Sequence, residues 1–231
     1  MSIPTTTTTT ASALDADRTL GELVSERSAR ARVFERHGID YCCNGHRSLA
    51  EAAGAAGVDL AALTTELAAV EATDDPASSL APDQLMDHIV AVHHAYLYEE
   101  LPAIEALATK VESVHAGHHP ELVTVARLVR AVRADLEPHL AIEEAEIFPA
   151  IGAAIDGGSP APGEQVARLR DDHEAVGALL AELRRVSSDY TVPDDGCASY
   201  QALYGRLADL EGDTFRHIHL ENNVLFAALT V

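Results

Sequence analysis

Two short runs carry the strongest chemical signal: His139-x-x-x-Glu143 and His217-x-x-x-Glu221 repeat one imidazole and one carboxylate at the same spacing. On a helix, positions i and i+4 lie one turn apart and about 40° around the axis, so each pair presents both groups to one side. Neutral imidazole and carboxylate together are ligands for a transition metal. His173 interrupts another apolar row, between Leu169 and Val176, and either His93 or His94 continues the row that runs through Val90 and Leu97. A second constellation lies upstream, where Cys42 and Cys43 are adjacent in the turn-rich segment Asp40-Tyr41-Cys42-Cys43-Asn44-Gly45-His46.

The elements that must position these groups are helical. The chain has 231 residues, is 47% hydrophobic and holds no Trp, so its core is built from Ala, Leu, Val and Ile, a composition that favours helices over strands. From Pro82 onward the pattern predicts four long helices, with Pro82, Pro120 and Pro162 marking three of the starts. The breaks at 117–119, 156–160 and 192–196 are short enough for antiparallel neighbours in an up-down bundle. The inward stripe of the second helix runs Leu122, Val125, Val129, Val132, Leu136 and then lands on His139 and Glu143. That of the fourth runs Leu203, Leu207, Leu210, Thr214, His217, Glu221, Val224. All four helices therefore aim a histidine inward, and two of them add a glutamate.

A single buried histidine is usually a hydrogen-bonded core residue, and an i,i+4 His/Glu pair is usually a local ion pair. The set resists that reading. Four imidazoles and two carboxylates in one core would cost several kcal/mol per buried group without a cation, and no basic residue shares their periodicity. Four nitrogens and two carboxylates exceed a tetrahedral zinc site but suit two iron ions bridged by Glu143 and Glu221, with room for an oxo or hydroxo bridge and an exchangeable ligand.

Upstream, Leu20, Leu23, Val24, Val33 and Phe34 predict one amphipathic helix closed by Gly38, followed by two Ala-rich helices near 48–56 and 59–71. The expected organisation is a disordered tail over 1–17, a small helical Cys-Cys domain over 18–72, a linker over 73–80 and the bundle over 81–231. The polar turn beside His46 and Arg47, ahead of a helix, should favour thiolate at Cys42 and Cys43. Cys197 has no partner in sequence, and His115 is open between a surface residue and a supporting ligand or ion-entry residue.

The formal charge of −21 excludes nucleic-acid binding through a general basic surface. No window approaches a membrane span, and the start, Met1-Ser2-Ile3-Pro4 followed by six Thr, lacks the basic end and apolar run of a secretory signal. With few cysteines, the expected compartment is the cytosol and the expected thiols are reduced.

The runs His139-x-x-x-Glu143-Glu144 into Ile147-Phe148-Pro149, and His217-x-x-x-Glu221-Asn222-Asn223-Val224-Leu225-Phe226, resemble the hemerythrin-like cation-binding domain. With Asp40-Tyr41-Cys42-Cys43-Asn44-Gly45 ahead of them, the chain resembles the di-iron proteins that repair iron-sulfur clusters damaged by nitric oxide or oxidants. The resemblance runs from about Thr19 to Phe226. It selects His94 over His93 and implies His94, His139, Glu143, His173, His217 and Glu221 as ligands of two irons. It also implies a role for Cys42 and Cys43, iron donation, nitric oxide chemistry, and damaged or apo iron-sulfur proteins as partners. Two departures stand out: Asn44 replaces the family's usual glycine, and Gly177 occupies the position where oxygen-carrying hemerythrins place another histidine, which argues against reversible oxygen transport. An oxygen or nitric oxide sensor and a peroxide-consuming enzyme are the alternative functions. The residues leave open whether the chain turns over as an enzyme and whether it forms a homodimer.

Overall fold

The computed structural model describes residues 14–71, 76–158 and 162–229. Most of the expected tail, the heart of the expected linker and the last two residues of the expected break at 156–160 lie outside them. The chain divides into two compact units, 1–75 and 76–231. Among the described residues there is no strand, and no helix is long and apolar enough to cross a membrane.

The N-terminal unit holds α1 (Leu20–Glu26), α2 (Ala31–Arg36), α3 (Leu49–Ala56) and α4 (Leu60–Ala69). Reciprocal capping boxes start two of them, Thr19 with Glu22 and Ser48 with Glu51, and the Asp59 side chain caps α4. The single helix expected up to Gly38 is broken: Arg27 is extended, and a 3₁₀ turn, Ser28–Arg30, separates α1 from α2. The break turns Arg30 inward. It is only 2% exposed, and its guanidinium donates to the carbonyls of Leu23 and Leu67 and to Glu26. Gly38 ends α2 at φ +63°, a left-handed angle that costs glycine little. Residues 14–17, placed in the disordered tail by the sequence, are tied to α3 where Ala50 N–H donates to the Ala16 carbonyl at 3.0 Å.

The second unit is a bundle of four helices. α5 spans residues 82–115, α6 residues 121–155, α7 Gly163–Val186 and α8 residues 198–228. α5 packs on α6 and α8, and α7 packs on both α6 and α8, which closes a four-sided bundle. The start of α5 meets the end of α6, as His94 Nδ1 with Glu144 Oε1 at 2.8 Å shows, so these neighbours run antiparallel. Pro76–Ser79, within the expected linker, is a 3₁₀ turn whose Ala77 is buried against this unit's own core.

Three of the four helices depart from α geometry at one level: Ile89–His94 in α5, Glu143–Ile147 in α6 and Leu220–Leu225 in α8 are π-helical. Such turns are rare and concentrate at functional sites. The spacing explains them. Along α6 the buried residues His139, Glu143, Ile147 and Ile151 follow one another by four, which on an α-helix drifts by about 40° per step. The wider π turn takes up the drift and keeps all of them inward.

The candidate metal centre

Two apolar clusters leave a polar layer between them. One includes Leu97, Leu101, Leu136, Leu140, Val176, Leu180, Leu207 and Leu210; the other includes Ile89, Ile147, Phe148, Leu169, Leu225 and Phe226. His94, His139, Glu143, His173, His217 and Glu221 lie at the level between them, each no more than 4% exposed.

They fall into two halves. In one, His94 Nε2 and His217 Nε2 are 3.2 Å apart, with Glu143 Oε2 3.4 Å from His94 and Glu221 Oε1 2.9 Å from His217. In the other, His139 Nε2 and His173 Nε2 are 3.1 Å apart, with Glu143 Oε1 3.3 Å from His139 and Glu221 Oε2 3.1 Å from His173. Each carboxylate therefore gives one oxygen to each half. The ligand-type atoms of each half gather into one group that could hold a metal ion.

The donor set of each half fits a metal ion on three grounds. Nitrogens about 2.1 Å from one ion lie about 3.0 Å apart at a right angle and about 3.4 Å apart at the tetrahedral angle, which brackets both His–His separations. Glu143 Oε1, Glu143 Oε2 and Glu221 Oε2 are buried with no hydrogen-bond donor, a costly arrangement for carboxylates without a cation. Three imidazoles are oriented from behind, as metal-bound histidines require: His94 Nδ1 by Glu144, His139 Nδ1 by Asp172 at 3.4 Å, and His173 Nδ1 by Asn222 at 3.1 Å. Phe148 stacks on the His94 ring and Phe226 on the His173 ring, and each Phe stands five residues beyond its bridging-type glutamate.

The groups perturb one another as a shared cation site would. Burial pulls the His139 imidazole down, but the Glu143 and Glu221 carboxylates outweigh it and raise it to about 9. The same balance raises His94, while burial prevails at His217 and lowers it. Burial pushes Glu221 up, and the facing His217 and His173 overcome this to hold it well below the usual carboxylate range.

His93, the other candidate on α5, is also buried but belongs to neither half. Its Nδ1 pairs with Asp213 Oδ1 at 2.9 Å, and its ring stacks parallel on His217, with centroids 5.7 Å apart. His115 lies 21 residues beyond His94 on α5, roughly 30 Å along the axis, so it is no supporting ligand of this layer. Its Nε2 instead meets Cys197 Sγ at 3.2 Å, a pairing that joins distant sequence positions and gave no local signal. The Tyr200 backbone N–H and then His115 lower the Cys197 thiol to about 7. Glu144, Asp172 and Asn222 also escaped the sequence reading, although each adjoins a residue of the site.

Cys42 and Cys43 sit together in the N-terminal unit, Sγ to Sγ 3.9 Å, in no disulfide. The expected thiolate fails at Cys42. That residue is 1% exposed, and burial, then Cys43 and the Asp40 carboxylate, push its thiol well above the usual range. The expected helix terminus does not act on it either, because α3 begins only at Leu49 and its cap is Ser48.

Residues 85–229 match the Hemerythrin HHE cation binding domain, and residues 16–71 match ScdA_N, described as a domain of unknown function. The chain is 33% identical to the iron-sulfur cluster repair protein ScdA of Staphylococcus haemolyticus, over 90% of this chain and 95% of the relative. It is 34% identical to the iron-sulfur cluster repair protein YtfE of an Enterobacter species, over 91% and 95%. Identity to YtfE of Escherichia coli O157:H7 is 32% over the same shares. Because one layer of paired histidines and shared carboxylates lies within the cation-binding match, and the likeness to these relatives spans both units, the chain belongs to the family of iron-sulfur cluster repair proteins with a hemerythrin HHE domain.

Proposed function

We propose that this chain takes part in the cytosolic repair of iron-sulfur clusters damaged by nitrosative or oxidative stress, by donating iron held in the bundle to damaged or apo iron-sulfur proteins. The observation that carries this reading is the pair of two-histidine half-sites sharing Glu143 and Glu221. His94 and His217 would hold one iron and His139 and His173 the other, with Glu143 and Glu221 each offering one oxygen to either half. A bound iron pair supplies one-electron chemistry and an exchangeable position for a small ligand such as nitric oxide or oxygen. The protein's own part is to keep the Nε2 atoms facing inward through Glu144, Asp172 and Asn222, and to exclude bulk water with Phe148 and Phe226. Glu143 and Glu221 balance charge when iron is present and are left ionisable and buried when it leaves. That cost favours reloading over an empty state. Cys42 and Cys43 serve the transfer of iron to its recipient.

The test mixes iron-loaded protein with an apo-ferredoxin, sulfide and a thiol reductant, and follows cluster absorbance. Cluster should form with the wild type and slow markedly when Cys42→Ser and Cys43→Ser are combined. Equal rates would remove the thiols from the mechanism, and no iron movement with the wild type would overturn donation. Rapid consumption of added peroxide, unaffected by loss of the Cys pair, would point instead to a peroxide-consuming enzyme.

A further inference from the structure

The turn at Asp40–Cys43 gathers two thiols and one carboxylate. Asp40 Oδ1 accepts hydrogen bonds from the backbone N–H groups of Cys42 at 3.0 Å and Cys43 at 2.9 Å, and from the Cys42 thiol at 3.2 Å. Asn44 Nδ2 donates to the other oxygen, Oδ2, at 2.7 Å and fixes the carboxylate plane. Both side chains of the adjacent cysteines are thereby brought to the same side of the turn, and the Asp40, Cys42 and Cys43 ligand atoms lie mutually within 4.8 Å.

The distances separate a chelate from a disulfide. Two thiolates bound to one tetrahedral ion at about 2.3 Å stand about 3.8 Å apart, and a carboxylate oxygen at about 2.1 Å stands about 3.6 Å from either sulfur. The observed Sγ–Sγ separation of 3.9 Å matches the chelate, and the Cys42 Sγ–Oδ1 separation of 3.2 Å, that of the thiol hydrogen bond, would widen by about 0.4 Å once a metal replaced the proton. A disulfide would have to draw the sulfurs to about 2.05 Å. Asp40 is exposed and Cys43 half-buried, and Asp40, with Asn44 and Arg47, lines a cavity of about 200 Å³ that the two cysteines do not line.

We infer that Asp40, Cys42 and Cys43 form a second metal site, with two thiolates and one carboxylate on a borderline divalent ion, iron(II) or zinc, and a fourth position left for a ligand from outside. Binding replaces the two thiol protons, which leave to solvent, with two metal–sulfur bonds. No electron is transferred. Two thiolates and one carboxylate are a softer set than the nitrogen and oxygen donors of the bundle, and a three-donor site releases its ion to a fourth ligand more readily than a closed one. As a waypoint for iron leaving the bundle the site rests on the repair reading above. As a metal site it does not.

The probe is cadmium, because thiolate-to-cadmium charge transfer absorbs in the ultraviolet and the bundle layer contributes no thiol. The full chain carrying Cys197→Ser is titrated with cadmium. The band should saturate at one ion per chain with the intensity of two thiolates, and Cys42→Ser or Cys43→Ser should each remove about half of it. Asp40→Asn keeps the oxygen that accepts both backbone N–H groups and loses only the bond from Asn44 to Oδ2, and it should weaken cadmium by about tenfold or more. Circular dichroism of each variant separates misfolding from ligand loss. Absence of the band, saturation at one ion per two chains, or unchanged affinity in Asp40→Asn would overturn the site. The same Asp40→Asn protein in the apo-ferredoxin assay tests the waypoint separately: slowed transfer supports it, and unchanged transfer with weakened cadmium binding leaves the site standing and ends its role in repair.

Discussion

Replacing Glu143 with Ala should strip both metal ions from the bundle, whereas replacing His173 with Ala should strip one. Each half has four donors, two Nε2 atoms and two carboxylate oxygens, and Glu143 gives Oε2 to the His94 half and Oε1 to the His139 half. Glu143→Ala therefore leaves both halves with three donors and removes the bridge. His173 touches one half only, with its Nε2 3.1 Å from both His139 Nε2 and Glu221 Oε2. His173→Ala leaves the His94 half with all four. Loss of an outer hydrogen-bond partner of a ligand already costs about 10- to 100-fold in affinity, and loss of a direct donor costs at least that. After reconstitution with iron(II) and passage through a desalting column, elemental analysis should give about two ions per chain for the wild type, about one for His173→Ala and well under one for Glu143→Ala. Circular dichroism should show all three folded. Equal stoichiometry in the two variants would refute the shared-carboxylate geometry, and full occupancy in Glu143→Ala would refute the site.

Three further outcomes follow from the same geometry. Asn222→Ala removes the acceptor facing His173 Nδ1 and should lower metal affinity by about 10- to 100-fold while leaving the fold intact, measured by competition with a chromogenic chelator. Cys197 is exposed and its thiol is lowered to about 7, so its alkylation by iodoacetamide should rise with pH through about 7 rather than 8.5, with half the thiolate already present at neutral pH. In His115→Ala the midpoint should move upward, as read by mass spectrometry of the 197 peptide. Arg30→Ala leaves the Leu23 and Leu67 carbonyls without their buried donor and should destabilise the N-terminal unit by about 3 kcal/mol, seen as faster hydrogen exchange over residues 20–69 and unchanged exchange in the bundle helices.

The buried His/Glu layer was legible in the sequence because imidazoles and carboxylates on an apolar stripe contradict burial unless something pays for them. Periodicity located His139, Glu143, His173, His217 and Glu221, and the structure brings all of them together with His94. Periodicity could not separate His93 from His94, because the π stretch Ile89–His94 changes the angular step where the choice is made. The runs of four-residue spacing around Glu143 and Glu221 were the available sign of π turns, and a fixed step of 100° per residue hides it. The outer partners Glu144, Asp172 and Asn222 stood beside the candidate ligands, but their acceptor roles depend on rotamers and neighbouring helices. The break between α1 and α2 was missed because it is set by Arg30 reaching carbonyls in α1 and α4, not by any Gly or Pro. The thiolate expected at Cys42 failed because a polar sequence neighbourhood does not report burial.

The claim at the centre of this account is that Glu143 and Glu221 bridge two irons in one bundle. Low-temperature Mössbauer spectroscopy of protein reconstituted with iron-57 and oxidised addresses it most directly. The account predicts about two irons per chain in a spin-coupled pair with a diamagnetic ground state, lost together in Glu143→Ala. Magnetically isolated ferric ions, or one tightly held ion that both Glu143→Ala and Glu221→Ala retain, would contradict it.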